Sequence, residues 1–338
     1  MDINVLRELV RKLDSDLNSL SAALQSYMRR HLSSCNVRDL LSVLASLVSE
    51  CRNSRLRLML AELMFRDLDC EYKVATLGPE GTFSHEVSLK LFSADSILLC
   101  TTIRDVIKAV RDGVTPFGVA PFENSLEGIV HETLDSLEES DSVYINMCIE
   151  HRVNFCVAVS DDVRTLDDVE LLYANPYAYQ QCRNNVRALL RNVKSVIYVS
   201  STAESARAVR ESRKAACIVS KSCALLYGLR IAAEHVEDQE TYTKFVLLSR
   251  TSLSEGDRTG LIFTIPHRPG SLYSVLEIFA RRGINLTMIY SRPTRKRPWQ
   301  YYFYLEFEGS LVEDLERELS RVCHSLRPLG SYLVTSSY

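Results

Sequence analysis

The stretch that decides the fold is Lys73–Phe92, KVATLGPEGTFSHEVSLKLF. Its first residues, Lys73–Leu77, form a short apolar run that reads as a buried strand. Gly78-Pro79-Glu80-Gly81 ends the run, and Phe83–Phe92 then takes a helical pattern. Strand, glycine loop and helix make half of a βαβ unit. The same alternation continues along the chain. The runs SILLC (96–100), FGVAPF (117–122), VNFCVAV (153–159), VELLY (169–173), SVIYV (195–199), AACIV (215–219) and FVLLS (245–249) read as buried strands. Helix-like segments such as Ile103–Arg111 and Thr202–Glu211 lie between them. Residues 72–250 are therefore expected to be α/β with parallel βαβ units, as one sheet or two lobes.

The flanks differ from this middle part. Residues 1–70 hold no Gly or Pro, and Val5, Leu6, Leu9, Leu13, Leu17, Leu20 and Leu24 form one apolar stripe at helical spacing. A second helix is expected over Val37–Glu50, capped by Ser34 or Asn36, with Leu40, Leu41, Leu44, Leu47 and Val48 on its buried face. A third is expected from Asn53 to Phe65. So small a helical core gains from oligomerisation. Residues 257–338, after a linker-like SLSEGDRTG (252–260), read strand, helix, strand, strand, helix, strand. That βαββαβ order predicts a ferredoxin-like antiparallel sheet with two helices on one face.

Composition bounds the function. The chain has 338 residues, 46% hydrophobic and 25% charged, with a formal charge of −3. That is globular usage, about two or three domains, without the basic excess of a duplex-nucleic-acid binder. The ten cysteines include no CxxC pair, so neither a zinc site nor a disulfide scaffold is indicated. No apolar run reaches the roughly 18 residues that span a bilayer, and the charged start MDINVLRELVRKLDSDL has no signal-peptide pattern. The expectation is a cytoplasmic protein with no membrane or nucleic-acid partner.

Three polar loops of the middle part carry the candidate chemistry. In Gly78–Ser84 the glycines allow close backbone approach, free amides at a helix start favour an anion, and Thr82 and Ser84 add hydroxyls. In Pro121–Gly128, the residues Glu123, Asn124 and Ser125 place a carboxylate, an amide and a hydroxyl at a strand's C-terminal end, where open α/β sheets bind ligands. Thr241–Phe245 puts Thr243 and Lys244 at the mouth of a strand, suited to an anionic substrate.

In this order the loops resemble the prephenate dehydratase family. Its GPxGTFS loop stands at Gly78–Ser84 and its ENSxxG loop at Glu123–Gly128, continued by Val130, Thr133, Leu134 and Asp135. STAESA at Ser201–Ala206 and YGL at Tyr227–Leu229 also fit. The family's threonine-arginine-phenylalanine signature is Thr243-Lys244-Phe245 here, keeping the cation but losing the guanidinium fork. Thr241 replaces an asparagine, and Ala174-Asn175-Pro176-Tyr177 replaces serine-histidine-proline-glutamine, before a matching Gln181 and Cys182. The C-terminal part resembles the ACT regulatory domain. Pro269-Gly270-Ser271-Leu272 corresponds to its glycine-alanine-leucine loop, Tyr290-Ser291-Arg292-Pro293 to its glutamate-serine-arginine-proline motif, and Trp299 with Tyr301-Tyr302-Phe303 follows.

The N-terminal helices take the place of the chorismate mutase domain of bifunctional relatives, with Leu6-Arg7-Glu8 and Leu13-Asp14 similar to its start. The register of a second arginine falls on Leu24, and no lysine occurs between Lys12 and Lys73. Arg29, Arg30, Arg38, Arg52, Arg55 and Arg57 supply cations only in a rearranged site, so the domain reads as degenerate.

The resemblance implies a two-lobed, periplasmic-binding-protein-like catalytic domain over 72–250, with substrate in the cleft and the strand at Phe245–Ser249 returning to the first lobe. It implies conversion of prephenate to phenylpyruvate without metal or other cofactor. Thr243 is then the donor to the leaving hydroxyl, and Thr82 and Ser84 join it in the catalytic site. Gly81, Glu123, Asn124, Ser125, Thr202 and Lys244 hold the substrate. L-Phenylalanine is implied as effector at Gly270, Ser271, Leu272, Ser291, Arg292 and Pro293, between the ACT domains of two chains. A homodimer or homotetramer through the ACT domain and N-terminal helices is expected. A bifunctional mutase–dehydratase, an arogenate dehydratase and a non-catalytic amino-acid sensor stay open. His85 reads as a structural helix-start histidine, and Arg281-Arg282 and Arg295-Lys296-Arg297 as solvated turns.

Overall fold

The chain is described by a computed structural model covering residues 37–48, 57–58, 60–62, 65, 72–294 and 300–337. The expected first helix with Arg7 and Leu24, the caps Ser34 and Asn36, Arg29, Arg30, Arg52, Arg55, the Arg295–Arg297 turn and Trp299 lie outside the described residues. The second expected helix is present as α1, Val37–Val48, and the described residues between 57 and 65 are helical.

The middle part follows as β1 (Val74–Leu77), α2 (Phe83–Leu89), β2 (Ile97–Cys100), α3 (Ile103–Arg111), β3 (Phe117–Asn124), β4 (Gly128–Ile129), α4 (His131–Glu138) and β5 (Tyr144–Val153). The second lobe runs β6 (Cys156–Val159), β7 (Leu171–Ala174), α5 (Pro176–Gln181), α6 (Arg183–Leu189), β8 (Ser195–Tyr198), α7 (Thr202–Arg210), β9 (Ala215–Val219), α8 (Lys221–Leu226) and β10 (Arg230–Glu234). The chain then returns as β11 (Thr241–Ser249). It ends in β12 (Arg258–Thr264), α9 (Ser271–Arg281), β13 (Leu286–Pro293), β14 (Tyr301–Glu308), α10 (Glu313–Val322) and β15 (Ser325–Ser336). The ferredoxin-like order of the last part is as expected.

Two sheets result. One has ten strands in the order β13-β14-β12-β15-β5-β11-β3-β1-β2, with β4 on β3; the other has five, β10-β6-β9-β7-β8. Strand β11 pairs with β3 and β5, so the chain does return to the first lobe after completing the second. The expected parallel βαβ units are present, with β1 between β2 and β3 and β7 between β8 and β9, and antiparallel strands accompany them. Strand β11 runs antiparallel to both its neighbours, and β6 antiparallel to β9 and β10. A strand that crosses back between lobes has no βαβ crossover to keep it parallel.

The regulatory-type domain is not a separate bead on a linker. β15 pairs with β12 through Ser325–Tyr332 and with β5, in parallel, through Leu333–Ser336, so one sheet runs through both domains. The linker-like stretch is itself pinned. Leu253 bridges Ser331, and Asp257 accepts from Arg57 at 2.6 Å and from the Val334 amide at 2.8 Å.

Side-chain alternation divides the core across this sheet. One face, with Val119, Met147, Ile149, Phe245 and Leu247, is covered by Leu41, Leu44, Leu60, Phe65, Val87 and Leu91 from the helices on that side. Phe65 stacks on Phe92 at 5.3 Å. Full burial of such a ring stabilises by about 1.5–3 kcal/mol, which ties Phe65 to the middle part of the chain. The other face, with Ala120, Phe122, Cys148, Val246 and Leu248, packs on α3, α4 and the C-terminal domain's Tyr302, Tyr304 and Tyr332.

Candidate active site

The parallel strands β1 and β3 end at the same sheet edge, and antiparallel β11 begins there. The Gly78–Ser84 loop, the Asn124 loop and Thr243 are therefore neighbours by topology. Between β3 and β11 the register pairs Thr243 with Asn124 and Lys244 with Glu123. Asn124 Nδ2 donates to Thr243 Oγ1 at 3.0 Å, while its Oδ1 accepts the amides of Leu126 at 2.9 Å and Glu127 at 3.1 Å. Those amides fix which end of the side chain faces Thr243. Because Asn124 donates into the threonine oxygen, the hydroxyl proton is left to point elsewhere, and the donated bond makes it a better donor. Ser125 extends the ladder by two bonds to Tyr242, its Oγ accepting at 3.1 Å.

Lys244 and Glu123 are not brought to Thr243. Alternation turns them to the opposite face, where Lys244 Nζ donates to Glu123 Oε2 at 2.6 Å. Burial works against the Lys244 charge, but the bond to Glu123, with further attraction from Glu123 and Glu306, holds the ammonium above its ordinary value. This pair faces the C-terminal domain. Period-two alternation of Thr243-Lys244 was the signal in the sequence that the two side chains part.

In the first loop, Thr82 caps α2 by accepting the His85 amide at 3.3 Å and donates to the Leu77 carbonyl at 3.0 Å, so its hydroxyl braces the loop. His85 Nδ1 accepts from the Gly81 amide at 3.2 Å, and burial pushes its pKa down, which supports the structural reading of that histidine. Ser84, the second residue of α2, is buried. Gly81 has φ +87°, and a Cβ there would stand 3.0 Å from Cys223 Sγ on α8 of the second lobe. Only glycine combines that backbone with that approach. From the second lobe, Ser201 caps α7 and presents Thr202 as its first residue. Asn175 caps α5 and donates to the Ser200 carbonyl at 2.9 Å, a link between loops that stands where the resemblance showed departures. Burial pushes the Cys156 and Cys223 thiols up to about 12, so neither is a ready nucleophile.

In the C-terminal domain, Gly270 caps α9 at φ +84°, and Gly270, Ser271 and Leu272 border a cavity of about 670 Å³ with Arg268, Gln300 and His324. Ser271 Oγ is buried without a hydrogen-bond partner. Ser291 and Pro293 are exposed on β13, but Arg292 is buried and turned away from that cavity, onto Asp135 of α4 in the same chain. Sequence reading missed this role of Asp135 and the contact of Tyr290 with His131, 2.7 Å.

Comparisons with known proteins place the chain in a family. The family described as prephenate dehydratase matches residues 74–253, and that described as ACT domain matches 259–324. The bifunctional chorismate mutase/prephenate dehydratase of Aquifex aeolicus is 35% identical over 273 residues, covering 78% of this chain and 74% of that one. The prephenate dehydratase of Mycolicibacterium gilvum is 34% identical, covering 77% and 90%. A prephenate dehydratase from Arthrobacter aurescens, solved in complex with L-Phe, superposes with a TM-score of 0.69 at 30% identity, covering 77% and 90%. With a catalytic-domain match over more than half its length and an ACT domain behind it, the chain belongs to the prephenate dehydratase family.

Proposed function

We propose that this chain catalyses the decarboxylating dehydration of prephenate to phenylpyruvate and is inhibited by L-phenylalanine. The observation that carries the reading is the hydrogen bond from Asn124 to Thr243 at the shared sheet edge, 3.0 Å. Prephenate loses carbon dioxide and its ring hydroxyl to become aromatic, so the driving force lies in the substrate. The protein has to hold the carboxylates in reactive geometry and supply a hydrogen bond or proton to the departing oxygen. Thr243, acidified by Asn124, is that donor; Ser84 and Thr202 hold polar groups of the substrate from the two sides of the cleft. Thr82 and Gly81 act by shaping the loop. Lys244 and Glu123 support the site from behind the sheet.

For regulation, the cavity beside Gly270 takes the amino acid. Backbone amides at the start of α9 favour its carboxylate, and the unpartnered Ser271 hydroxyl adds a polar contact. Two chains side by side through their ACT domains, with the N-terminal helices adding contacts, fit this reading. Incubation of the purified protein with prephenate, followed by phenylpyruvate absorbance, tests the activity. Accumulation of phenylpyruvate, reduced by L-phenylalanine, supports it; none from folded protein removes it.

A further inference from the structure

A cavity of about 420 Å³ lies between the lobes, and none of the residues assigned above to substrate or to phenylalanine borders it. Phe83 and Glu86 of α2, with Lys90 at its C-terminal cap, form one wall. His151, Arg152 and Asn154, where β5 passes into β6, form the second. Ser222 and Leu225 of α8 close it from the other lobe, and Ser337 closes it after β15.

Its polar atoms are incompletely used. His151 Nε2, Arg152 Nε and Asn154 Oδ1 are buried without hydrogen-bond partners, and His151 is only 5% exposed. A buried polar atom left unmatched is costly, so three around one cavity point to an occupant with both acceptors and donors.

The charges say more. Arg152 is paired through Nη2 to Glu240 at 2.7 Å, which leaves its Nε unpartnered, and the bordering Lys221 is paired to Glu234 at 2.8 Å; neither glutamate borders the cavity. Lys90 has no ion pair among the described residues. Glu86 takes the Ser222 hydroxyl on Oε2, and its Oε1 lies 3.5 Å from His151 Nε2. Burial holds His151 neutral, well below its ordinary value, against the opposing pull of Glu86, so that contact does not neutralise the carboxylate. One cation and one anion, a helical turn apart on α2 and its cap, are left facing the space. Phe83 and Leu225 supply the apolar surface.

We propose that this cavity binds a free aliphatic α-amino acid as its zwitterion. The carboxylate is held by Lys90 and Arg152 Nε, the ammonium by Glu86 and Asn154 Oδ1, and the side chain lies on Phe83 and Leu225. Such a ligand touches both lobes and the end of the C-terminal strand at once. The inference does not depend on the dehydratase reading.

Isothermal titration calorimetry of the full chain with L-leucine tests it. Two half-ligands serve as controls: 4-methylpentanoate, lacking the ammonium, and 3-methylbutylamine, lacking the carboxylate. L-Leucine is expected to bind, with each half-ligand about tenfold weaker or worse. Lys90→Gln and Glu86→Gln, at partly exposed positions, are each expected to weaken L-leucine by about the same factor. No heat at about 10 mM L-leucine overturns the proposal. So do half-ligands that bind as well as L-leucine, or binding undiminished in both variants, which places the ligand elsewhere.

Discussion

Arg292 of the C-terminal domain holds both carboxylate oxygens of Asp135 on α4, through Nε at 2.6 Å and Nη2 at 2.5 Å. Both side chains are largely buried, and Tyr302 adds a bond to Asp135 at 2.7 Å. One turn earlier on the same helix, His131 meets Tyr290. Helix α4 starts directly after β4, which closes the Glu123–Gly128 loop back onto β3. The regulatory-type domain therefore grips the helix that hangs from a loop of the candidate active site.

Arg292→Ala is expected to destabilise the protein by about 3 kcal/mol, because it takes the bidentate guanidinium away from a largely buried carboxylate. It is also expected to weaken inhibition by L-phenylalanine. Thermal unfolding and a phenylalanine titration of activity check both. Unchanged inhibition in the folded variant separates this ion pair from regulation.

Gly270→Val is expected to remove the response to L-phenylalanine while leaving uninhibited turnover near that of the parent. No atom stands within 4 Å of a Cβ at this position, so the obstacle is the backbone at φ +84° and the ligand's own space. The left-handed backbone costs a side chain about 1–2 kcal/mol. Calorimetry with phenylalanine should lose its heat; an unaltered titration would place the effector elsewhere.

Stability should fall with acid earlier than carboxylates alone require. Burial lowers the pKa of both His151 and His85 below the ordinary 6.5. Below about pH 6.5 the unfolded chain takes up protons that the native histidines refuse, so native stability is lost as pH falls from there toward the folded pKa. His151→Gln should flatten that fall. Denaturant midpoints between pH 7 and pH 5 that move in parallel for both proteins would show that His151 contributes nothing to it.

The parts of this fold legible in the sequence are those with continuous apolar runs or glycine signals. β1, β2, β3, β9 and the whole βαββαβ unit fall where periodicity placed them. Strand β5 was not legible, because Asn146, Glu150, His151 and Arg152 interrupt its apolar character. Those polar residues are tolerated in a central strand because His151 finds Ser337 and Asn146 finds the Thr251 carbonyl. β10 was equally obscured by its charged ends, Arg230 and Glu234. The union of two domains in one sheet rests on where β15 changes partners, and local pattern does not specify a partner. At the site, the order of the loops was readable, but which side chains share a face was not used: Thr243 and Lys244 differ by one residue and so by one side of the sheet.

The N-terminal region is expected to lack chorismate mutase activity. Leu24 occupies the register of a needed arginine, and no lysine lies between Lys12 and Lys73. The rearrangement of a dianion depends on placed cations. A robust rate with chorismate, abolished by Arg7→Ala, would contradict this.

Thr243, oriented by Asn124, is proposed to donate to the leaving oxygen of prephenate. The most direct test of this proposal is the steady-state conversion of prephenate to phenylpyruvate by the parent and by Thr243→Ala, with folding verified by circular dichroism. The parent is expected to turn over, and the variant to show a kcat lower by about 10²-fold or more with KM little changed, as for loss of a positioned proton donor. Near-parental kcat in folded Thr243→Ala would contradict it.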